Sequence, residues 1–482
     1  MNVQILSRKL ITPSSPTPRH LQKLKISWLD QFLSPHNYLP FIFYFPSHGD
    51  ENNVERSKQL QNSLSETLTI FYPLAGRYID NNLIVHCNDK GVGYTEAKVS
   101  GCLSQFLEGG ELETELRNRL APHPVQPDNS ALVLIQFNMF ESGGVAIGLC
   151  VTHRAADAYT VFTFVRTWAT VLSFTQMPSL MCKIKNSLNI YLVANCIPEP
   201  VLPSALINSS SSSTESTQHT ACRLGVDKVP HAPSFQLPSF FPSRDTISSP
   251  NRFINRNHKI VVMKRFVFTG PALSKLKAVV SGSVNGSHQP TRIEVVTAVI
   301  WKTSAMVARA KHGRLRPSLL SHTFNMRGKI AMPVPDNSCG NFINVALSHF
   351  TEDDESKVQL HDFVDRVYNG IKKMVSDCAK VSTDDELFVM AEKIRIETIK
   401  AFTRSEMDLY MFNSWCRMPV YEADFGWGKP GWVSGLYVPG VEMVFLVDTK
   451  DGDGIEAWVS LEEATMLLFQ ENPEIKASTG QE

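Results

Sequence analysis

The sequence lacks both a net charge and a long apolar run, and each absence excludes a class of protein. Its 47 Lys and Arg residues balance 47 Asp and Glu residues, which argues against a chain that binds polyanions over its whole surface. No stretch reaches the ~18 consecutive apolar residues of a membrane-spanning helix, and the N-terminus contains no apolar segment typical of a secretory signal. We therefore expect a cytoplasmic protein that does not associate with membranes.

The nine cysteines form no recognisable pattern. No two of them have the CxxC spacing of a zinc or redox site, and an odd, scattered set is not a disulfide framework. We therefore predict a reducing compartment, no bound metal, and cysteines that serve as small buried hydrophobic residues. The GxSxG, HExxH, Walker A and GxGxxG signatures are also missing, which argues against the enzyme classes that they mark.

The chain divides into two halves around a middle segment of different composition. Its length of 482 residues, of which 43% are apolar, is sufficient for two or three hydrophobic cores. The middle is rich in Pro and Ser, includes an unbroken serine run at 209–213, and is typical of a linker with a disordered centre. We therefore predict one lobe in residues 1–175, a crossover region in 176–258 and a second lobe in 259–482.

Apolar periodicity predicts a mixed α/β fold in both lobes. Two pairs of expected strands, one in each lobe, are separated only by a turn, so each pair predicts a hairpin. The expected helices lie at 54–71, after residue 157, at 292–312 and from residue 462, and the expected strands at 130–140, 145–151, 259–268, 441–449 and 455–461.

His153 and Asp157 lie at the predicted junction between a buried strand and the following helix. An imidazole is the side chain best suited to accept a proton at neutral pH, because its ordinary pKa is near 6.5. A neighbouring carboxylate can orient it. The alternative is a helix start in which Asp157 caps the helix and His153 bonds locally. Because an isolated HxxxD is frequent by chance, the pattern alone favours this structural alternative.

The stretch 259–316 contains eleven Lys or Arg residues and a single acid, Glu294. Such an excess of positive charge can gather a phosphate-rich ligand such as coenzyme A. The alternative, equally well supported, is a solvated surface balanced by acids elsewhere, for example at 352–355. No nucleic-acid-binding motif accompanies the stretch. Its basic residues are Lys259, Lys264, Arg265, Lys275, Lys277, Arg292, Lys302, Arg309, Lys311, Arg314 and Arg316.

The run Asp424-Phe425-Gly426-Trp427-Gly428 predicts a tight backbone loop with the indole packed beneath it. Alone, this is a structural loop without chemistry. His322, on a strand-like run, is likewise expected to be a structural histidine.

HxxxD at 153–157, followed far downstream by DFGWG at 424–428, resembles the BAHD family of plant acyl-CoA-dependent acyltransferases. Other segments agree, so the resemblance covers nearly the whole chain apart from part of the middle. The sequence is most similar to the family's alkaloid and terpenoid O-acetyltransferases, of the vinorine synthase and salutaridinol acetyltransferase type. The agreeing segments are FYPLAGR at 71–77, Asn325-Met326-Arg327, Gly340-Asn341, SWCR at 414–417 and DGDGIEAW at 451–458.

The resemblance implies an α/β fold of two similar lobes, like chloramphenicol acetyltransferase, joined by a long crossover loop, with the active-site channel between them. It implies that His153 is the general base that deprotonates the acceptor hydroxyl, which attacks the acyl-CoA thioester directly. In the family, the aspartate of HxxxD turns away from the substrate and pairs with the arginine of N-x-R. Asp157 and Arg327 are therefore expected to be structural.

The resemblance also suggests donors for the oxyanion that forms at the reacting carbonyl. Relatives have Thr-Ser-Trp where this chain has Asn-Ser-Trp at 413–415. Asn413 and Trp415 are the expected donors, each worth ~3 kcal/mol in a comparable site. The residues expected to shape the CoA side without a chemical role are Asp424, Gly426, Trp427 and Gly428.

The implied reaction uses acetyl-CoA, or another acyl-CoA, as a co-substrate. Its acceptor is a small alcohol of specialised metabolism, of alkaloid or triterpenoid (limonoid) type. We expect no permanently bound cofactor, no nucleic-acid partner and a monomeric protein. The basic stretch is then expected to receive the CoA phosphates, with Lys264, Arg265, Lys275 and Arg292 among its members.

Two departures from the family pattern bear on activity. Ala158 replaces the glycine that normally follows HxxxD, which costs ~1 kcal/mol if its φ is positive. Roughly 40–50 extra residues lie between about 176 and 231, either as a natural loop or as a translated intron or another gene-model error. They leave a second hypothesis open: a catalytically impaired member that binds CoA or a metabolite without turnover.

Overall fold

The computed structural model describes most of both halves of the chain. The middle of the sequence, residues 176–231, lies outside the described residues, as do Lys259 and the acids at 352–355, so what was expected of them stays a prediction. The described residues are 2–35, 37–47, 52–79, 83–108, 114–122, 131–141, 143–175, 232–247, 260–281, 289–351, 358–404, 406–435 and 440–480.

A six-stranded sheet forms the centre of the first lobe. Its strands are β1 (Val3–Ile11), β3 (Tyr38–Phe45), β6 (Val92–Val99), β7 (Val133–Phe140), β8 (Val145–Thr152) and β13 (Trp432–Gly435). They are ordered β1-β6-β7-β8-β3-β13, with β6 and β7 parallel and the other neighbours antiparallel. Beside it, a small sheet has the order β2-β5-β4, formed by β2 (Lys23–Lys25), β4 (Arg77–Ile79) and β5 (Ile84–His86).

The second lobe is built on another six-stranded sheet. Its strands are β9 (Val261–Phe268), β10 (Ser318–Asn325), β11 (Ile343–Phe350), β12 (Asp408–Ser414), β14 (Met443–Asp448) and β15 (Ile455–Glu462). In the order β11-β10-β12-β14-β15-β9, the central pairs β10–β12 and β12–β14 are parallel. The predicted hairpin of β14 and β15 is confirmed.

Helices cover these sheets. The long helix predicted at 292–312 is confirmed at both ends, because a capping box between Thr291 and Glu294 begins it and Gly313, at φ 76°, ends it. The helices are α1 (Trp28–Gln31), α2 (Asn53–Ile70), α3 (Leu103–Glu108), α4 (Thr114–Leu120), α5 (Ala158–Thr175), α6 (Leu237–Phe240), α7 (Gly270–Ser281), α8 (Arg292–His312), α9 (Leu360–Cys378), α10 (Asp384–Thr403), α11 (Glu463–Gln470) and α12 (Pro473–Thr479).

The hairpin of β7 and β8 delivers the HxxxD segment. The two strands pair antiparallel as predicted, and every residue of β8 is buried. The chain therefore leaves β8 inside the molecule, turns through residues 153–157 and enters α5. Phe164 and Trp168 of α5 pack into the core of the same lobe. The strand-to-helix junction predicted for His153 is confirmed.

A strand from the second half of the sequence completes the first sheet. β13 pairs antiparallel with β3, from Trp432 opposite Tyr44 to Gly435 opposite Phe41. The aromatic rings of Tyr44 and Trp432 stack with centroids 5.1 Å apart. Residues 259–482 thus contribute to the first lobe as well as forming the second, and the DFGWG loop directly precedes the strand that crosses over.

Candidate active site

The backbone carbonyl groups of Leu33 and Asn37 anchor the HxxxD segment. The N–H of His153 donates a hydrogen bond to the carbonyl oxygen of Asn37 at 2.7 Å. Nε of Arg154 donates to the carbonyl oxygen of Leu33 at 2.6 Å. Both acceptors are main-chain atoms of one short segment, so they fix the course of the loop that carries His153.

The environment of the His153 imidazole favours its neutral form. Burial lowers the pKa of His153 below its ordinary value, and this effect outweighs the opposing influence of its own carbonyl group and of the Asp157 charge. Nδ1 is buried and has no hydrogen-bond partner among the described residues. Any proton exchange between this ring and a ligand would therefore use Nε2.

The buried carboxylate of Asp157 is occupied by structural contacts. Oδ1 accepts hydrogen bonds from the N–H and the hydroxyl of Thr160, at 2.9 and 2.8 Å, which caps α5. Oδ2 accepts from Nη1 of Arg327 at 2.7 Å and from the N–H of Phe342 at 3.2 Å. Both the helix cap considered for HxxxD alone and the ion pair implied by the resemblance are therefore present.

Arg327 joins this carboxylate to the second lobe. Its Nε donates to the carbonyl oxygen of Ser338 at 2.9 Å, its Nη2 to that of Gly340 at 3.0 Å, and its Nη1 also to Oδ1 of Asn325 at 3.1 Å. The side chains of Arg327 and Asp157 are only 4% and 3% exposed. The ion pair is thus enclosed, and each of its nitrogen and oxygen atoms has at least one hydrogen-bond partner.

A second connection, from α1 to the carbonyl group of His153, was not predicted from the sequence. Nδ2 of Asn341 donates to the carbonyl oxygen of His153 at 2.6 Å and to Oδ1 of Asp30 at 2.8 Å. The backbone N–H of Asn341 donates to the same Asp30 oxygen at 2.9 Å. Asn341 belongs to a segment that matched the family pattern, whereas no sequence signal pointed to Asp30.

The side-chain amide of Asn413, on β12, is oriented by the neighbouring strand β10. The hydroxyl of Thr323 donates a hydrogen bond to Oδ1 of Asn413. No hydrogen bond of Nδ2 of Asn413 is present within the described part of the chain, so this group can donate to a ligand. Two residues beyond Thr323 on the same strand is Asn325, which contacts Arg327. β10 therefore connects the Asn413 amide to the Asp157–Arg327 ion pair.

Trp415, immediately after β12, is enclosed by aromatic rings from both halves of the chain. Its ring centroid lies 4.9 Å from those of Phe41 and Phe445 and 5.9 Å from that of Phe162. A Cβ atom at Gly435 would lie 3.1 Å from the Trp415 ring, so the glycine permits this close packing. Trp415 thus joins the core of the first lobe.

The carboxylate of Asp424 closes the DFGWG loop. Its Oδ1 accepts hydrogen bonds from the N–H groups of Gly426 and Gly428 at 2.8 and 3.0 Å. These glycines have φ values of 87° and 96°, in the left-handed region that other residues adopt only with strain. Phe425 is fully buried, and its ring lies 5.0 Å from that of Trp168 on α5.

The indole of Trp427 fixes the other side of this loop to the first lobe. Its ring meets the edge of Phe45 at 6.2 Å, and the guanidinium of Arg56 lies 4.8 Å from its centroid. These contacts attach the loop to β3 and α2. None of the hydrogen bonds and ring contacts described for the loop includes His153.

Many of the residues in the basic stretch are paired with acids of the second lobe. Arg265 lies 3.6 Å from Glu456, and Arg292 lies 2.9 Å from Asp448. The balancing acids are therefore strand and helix residues of the same lobe. Further pairs are Lys302–Glu474, Lys311–Glu462 and Arg316–Asp408.

The remaining basic candidates differ in their contacts. Nζ of Lys264 donates to Oε1 of Gln470 at 2.6 Å. Lys275 and Lys277 lie on α7, where Lys275 is exposed and Lys277 is half-buried, and neither forms an ion pair with a described residue. These two lysines, together with the exposed Arg309 on α8, have no ion pair with a described residue, so no described acid balances their charges.

Ala158 causes no backbone strain. It is the first residue of α5, and among the described non-glycine residues only Leu83, Asp89 and Arg417 have positive φ values. The methyl group therefore replaces a glycine hydrogen in an ordinary helical conformation. The expected penalty of a positive φ does not arise.

A cavity of about 1300 Å³ lies between α10, the segments 343–345 and 408–411, and α1. The predicted residues His153, Asn413 and Trp415 do not belong to its described lining. Its wall instead includes Leu33, whose carbonyl group binds Arg154, and Asn344, three residues after the asparagine that binds the His153 carbonyl group. The cavity thus abuts the segments that position the histidine.

The described residues contain no group of three or more His, Cys, Asp or Glu side chains that could hold a metal ion. None of their helices is both long enough and apolar enough to cross a membrane.

The two mixed α/β lobes, with the HxxxD histidine held where they meet, are the arrangement expected of a two-lobed acyltransferase. The chain belongs to the Transferase family, whose family model matches residues 1–476. It is therefore an acyltransferase of the BAHD type, which uses acyl-CoA and small-molecule acceptors, and the predicted family and enzyme class are confirmed.

Relatives and a solved structure agree over nearly the full length. Stemmadenine O-acetyltransferase of Catharanthus roseus is 33% identical and covers 97% of this chain and 96% of its own. Acetyl-CoA-benzylalcohol acetyltransferase of Clarkia breweri is 31% identical, with 98% and 99% covered. The crystal structure of vinorine synthase matches with a TM-score of 0.73 at 28% identity, covering 97% and 96%. The predicted two-lobed α/β fold is confirmed.

Proposed function

We propose that this chain transfers the acetyl group of acetyl-CoA to a hydroxyl group of an alkaloid or triterpenoid alcohol, with His153 as the general base. The observation that carries this proposal is the position of His153 at the junction of β8 and α5, where its backbone N–H is held by Asn37 and its carbonyl group by Asn341. The names of the relatives support acetyl as the acyl group.

The proposed reaction begins when Nε2 of His153 takes the proton of the acceptor hydroxyl. The oxygen attacks the thioester carbon of acetyl-CoA and gives a tetrahedral oxyanion. As this intermediate collapses, the C–S bond breaks and the leaving CoA sulfur receives the proton from Nε2. Products are the acetate ester and free CoA, and no acyl-enzyme forms. The low pKa of His153 supports this role, because the base must be unprotonated at neutral pH.

The oxyanion is proposed to be stabilised by Nδ2 of Asn413 and by the indole N–H of Trp415. The Thr323 hydroxyl supports the first assignment, because it occupies the amide oxygen of Asn413 and so directs the N–H donors elsewhere. The aromatic enclosure supports the second, because it allows the indole little freedom to turn away. Preorganised donors of this kind stabilise developing charge without reorganising during the reaction.

Asp157 and Arg327 are proposed to position the histidine, and the DFGWG loop to attach the second half of the chain to the first lobe. Their hydrogen bonds support these roles, since the polar groups of the ion pair are occupied by protein atoms. For CoA, the two lysines of α7 without ion pairs, Lys275 and Lys277, are the preferred contacts for the phosphates within the basic stretch. Arg265 and Arg292 are already paired with acids.

Acceptor-dependent release of free thiol from acetyl-CoA tests the proposal. Purified protein and a His153→Ala variant would be compared over alkaloid, triterpenoid and phenolic alcohols. We expect release that depends on the acceptor and disappears in the variant, while CoA binding survives. Undiminished turnover by the variant would refute the assignment of the base.

Ala158 does not support the alternative hypothesis of a catalytically impaired member that binds CoA or a metabolite without turnover. That hypothesis depended partly on strain at Ala158, and Ala158 lies in an unstrained helix start. The extra residues of the middle segment lie outside the described residues. Saturable CoA binding without thiol release would favour this alternative.

A further inference from the structure

The side chain of Phe445, on β14, lies on the face of the second sheet that is turned towards the first lobe. Its neighbours in sequence, Val444 and Leu446, pack into the core of the second lobe, whereas Phe445 packs against the core of the first. Successive side chains of a strand point to opposite faces of the sheet. Asn413, on β12, is paired in register with Phe445, so the two side chains share this face.

Phe445 is therefore the immediate neighbour of a proposed oxyanion donor. Adjacent strands lie about 4.7–4.9 Å apart, and on its other side Asn413 contacts Thr323 of β10. Phe445 is only half-buried, so part of its ring remains open to the space between the lobes. An acyl carbonyl whose oxygen accepts a hydrogen bond from Nδ2 of Asn413 would thus have the Phe445 ring beside it.

Further aromatic rings close the space behind Phe445. Its ring centroid lies 4.9 Å from that of Trp415, the other proposed donor, and the Trp415 ring lies 4.9 Å from that of Phe41. Phe41 in turn meets Phe162 edge-on at 5.2 Å. Closely packed side chains of this kind move apart only with the loss of their contacts. A carbon chain that extends from the carbonyl group towards these rings therefore meets a packed wall.

We propose that Phe445, supported by Trp415, limits the acyl group to two carbons and so selects acetyl-CoA among acyl-CoA thioesters. The proposal rests on the proposed function and adds the residue that imposes the choice of acyl group. The names of the relatives give the acyl group that they transfer, but not the side chain that selects it. A single methylene group in an apolar pocket can change kcat/KM by about 10–200-fold.

A series of straight-chain thioesters tests the proposal: acetyl-CoA, propanoyl-CoA, butanoyl-CoA and hexanoyl-CoA. Thiol release is measured with one alcohol that the wild-type protein acetylates. We expect kcat/KM of the wild type to fall about tenfold or more from acetyl-CoA to butanoyl-CoA. Phe445→Ala should raise kcat/KM for butanoyl-CoA and hexanoyl-CoA about tenfold or more, and should leave the value for acetyl-CoA equal or lower.

Met443→Ala is the matched control, because Met443 lies on the same face of β14, two residues before Phe445, and is likewise half-buried. It removes a large apolar side chain at a position that is not paired with Asn413, so the preference for acetyl-CoA should persist. Phe445→Leu, which keeps an apolar side chain against Trp415, is the second variant if Phe445→Ala folds poorly. Equal use of butanoyl-CoA and acetyl-CoA by the wild type, or an unchanged preference in the Phe445 variants, would overturn the inference.

Binding to the His153→Ala variant separates the failure of this inference from the failure of the proposed function, because turnover plays no part in it. Isothermal titration calorimetry compares free CoA, acetyl-CoA and butanoyl-CoA. If Phe445→Leu in this background tightens the binding of butanoyl-CoA relative to free CoA, but no alcohol releases thiol with the wild type, the assignment of Phe445 stands and the transferase activity fails. If thiol release depends on His153 but the Phe445 variants keep the wild-type order of thioesters, the activity stands and the assignment of Phe445 fails.

Discussion

Nη1 of Arg327 lies 2.7 Å from Oδ2 of Asp157, across 170 residues of sequence and at the junction of the two lobes. The pair is almost completely buried, and the other groups of both side chains are hydrogen-bonded to the protein. Removal of one partner from such a pair leaves an uncompensated charge, so the interaction matters more for stability than its ion-pair energy suggests.

Arg327→Met should therefore lower the free energy of unfolding by about 3–5 kcal/mol, the range for breaking a buried ion pair. The matched control is Lys373→Met, which breaks an exposed pair with Asp377 within α9 and should change stability by less than about 0.5 kcal/mol. Chemical denaturation measured by circular dichroism compares the two. Equal, small effects would show that the buried pair has no special structural role.

The pH dependence of turnover should reflect the lowered pKa of His153. The base acts only when unprotonated, so kcat/KM should decrease on the acid side with a midpoint below 6.5, the ordinary value for histidine. The measurement is thiol release at saturating acetyl-CoA between pH 5 and 8. An acid limb centred at or above pH 6.5 would contradict the predicted environment of the ring.

The lowered pKa of His153 also makes the stability of the folded protein depend on pH. His153 and His322 both have pKa values lowered by burial, so the unfolded chain binds protons that the folded chain does not. Their contribution to stability is present above about pH 6.5 and decreases as the pH falls towards the lower folded-state pKa values. Denaturation at pH 7.5 and 5.5 should therefore show lower stability at pH 5.5, with a smaller difference in a His322→Gln variant.

Thr323→Val should lower kcat with little effect on KM, because it removes the hydroxyl group that orients Asn413. Asn413→Ala should lower kcat about 10²–10³-fold, as loss of an oxyanion donor does elsewhere. In the double variant, Thr323→Val should cause little further loss, since its partner is already absent. Thr323→Ser, which keeps the hydroxyl, is the control. If the kcat losses of Thr323→Val and Asn413→Ala are additive in the double variant, Thr323 does not act through Asn413, and its positioning role is rejected.

Features encoded by neighbouring residues could be predicted from the sequence. The helix Arg292–His312 has the bounds that its apolar periodicity predicts, and the structure adds a capping box at its start and a glycine at its end. The hairpin of β7 and β8 likewise follows from two apolar runs and a short turn. HxxxD alone allowed either a histidine base with an orienting carboxylate or a helix start capped by Asp157. The structure shows that Asp157 caps the helix and also forms an ion pair with Arg327.

Features that depend on distant pairing were not predictable in this way. Nothing in the sequence around the short strand Trp432–Gly435 indicates its partner. It pairs with β3, where Trp432 lies opposite Tyr44, nearly 400 residues earlier in the chain. Asp30 is an ordinary acid in the sequence, and its contact with Asn341 appears only when the lobes meet. The positive charge of the basic stretch could be read from the sequence, but the acids that pair with it on other strands and helices could not.

Asp424 offers a final test, because its carboxylate group can be altered without removing its hydrogen-bond acceptor. Asp424→Asn keeps an oxygen for the N–H groups of Gly426 and Gly428, whereas Asp424→Ala removes both hydrogen bonds. If the residue is a scaffold, Asp424→Asn should keep nearly normal kcat and stability. Asp424→Ala should lose on the order of 1–3 kcal/mol of stability, measurable by thermal unfolding.

The glycines of the same loop provide an independent comparison. Gly428→Ala forces a side chain into a backbone conformation with φ 96°, which should cost about 1–2 kcal/mol and resemble Asp424→Ala in its effect. The loop precedes the strand that crosses to the first sheet. Gly428→Ala and Asp424→Ala should therefore lower the unfolding temperature and leave the KM of each substrate nearly unchanged. A fully stable Asp424→Asn protein without turnover would instead place the carboxylate in the chemistry and reject the scaffold role.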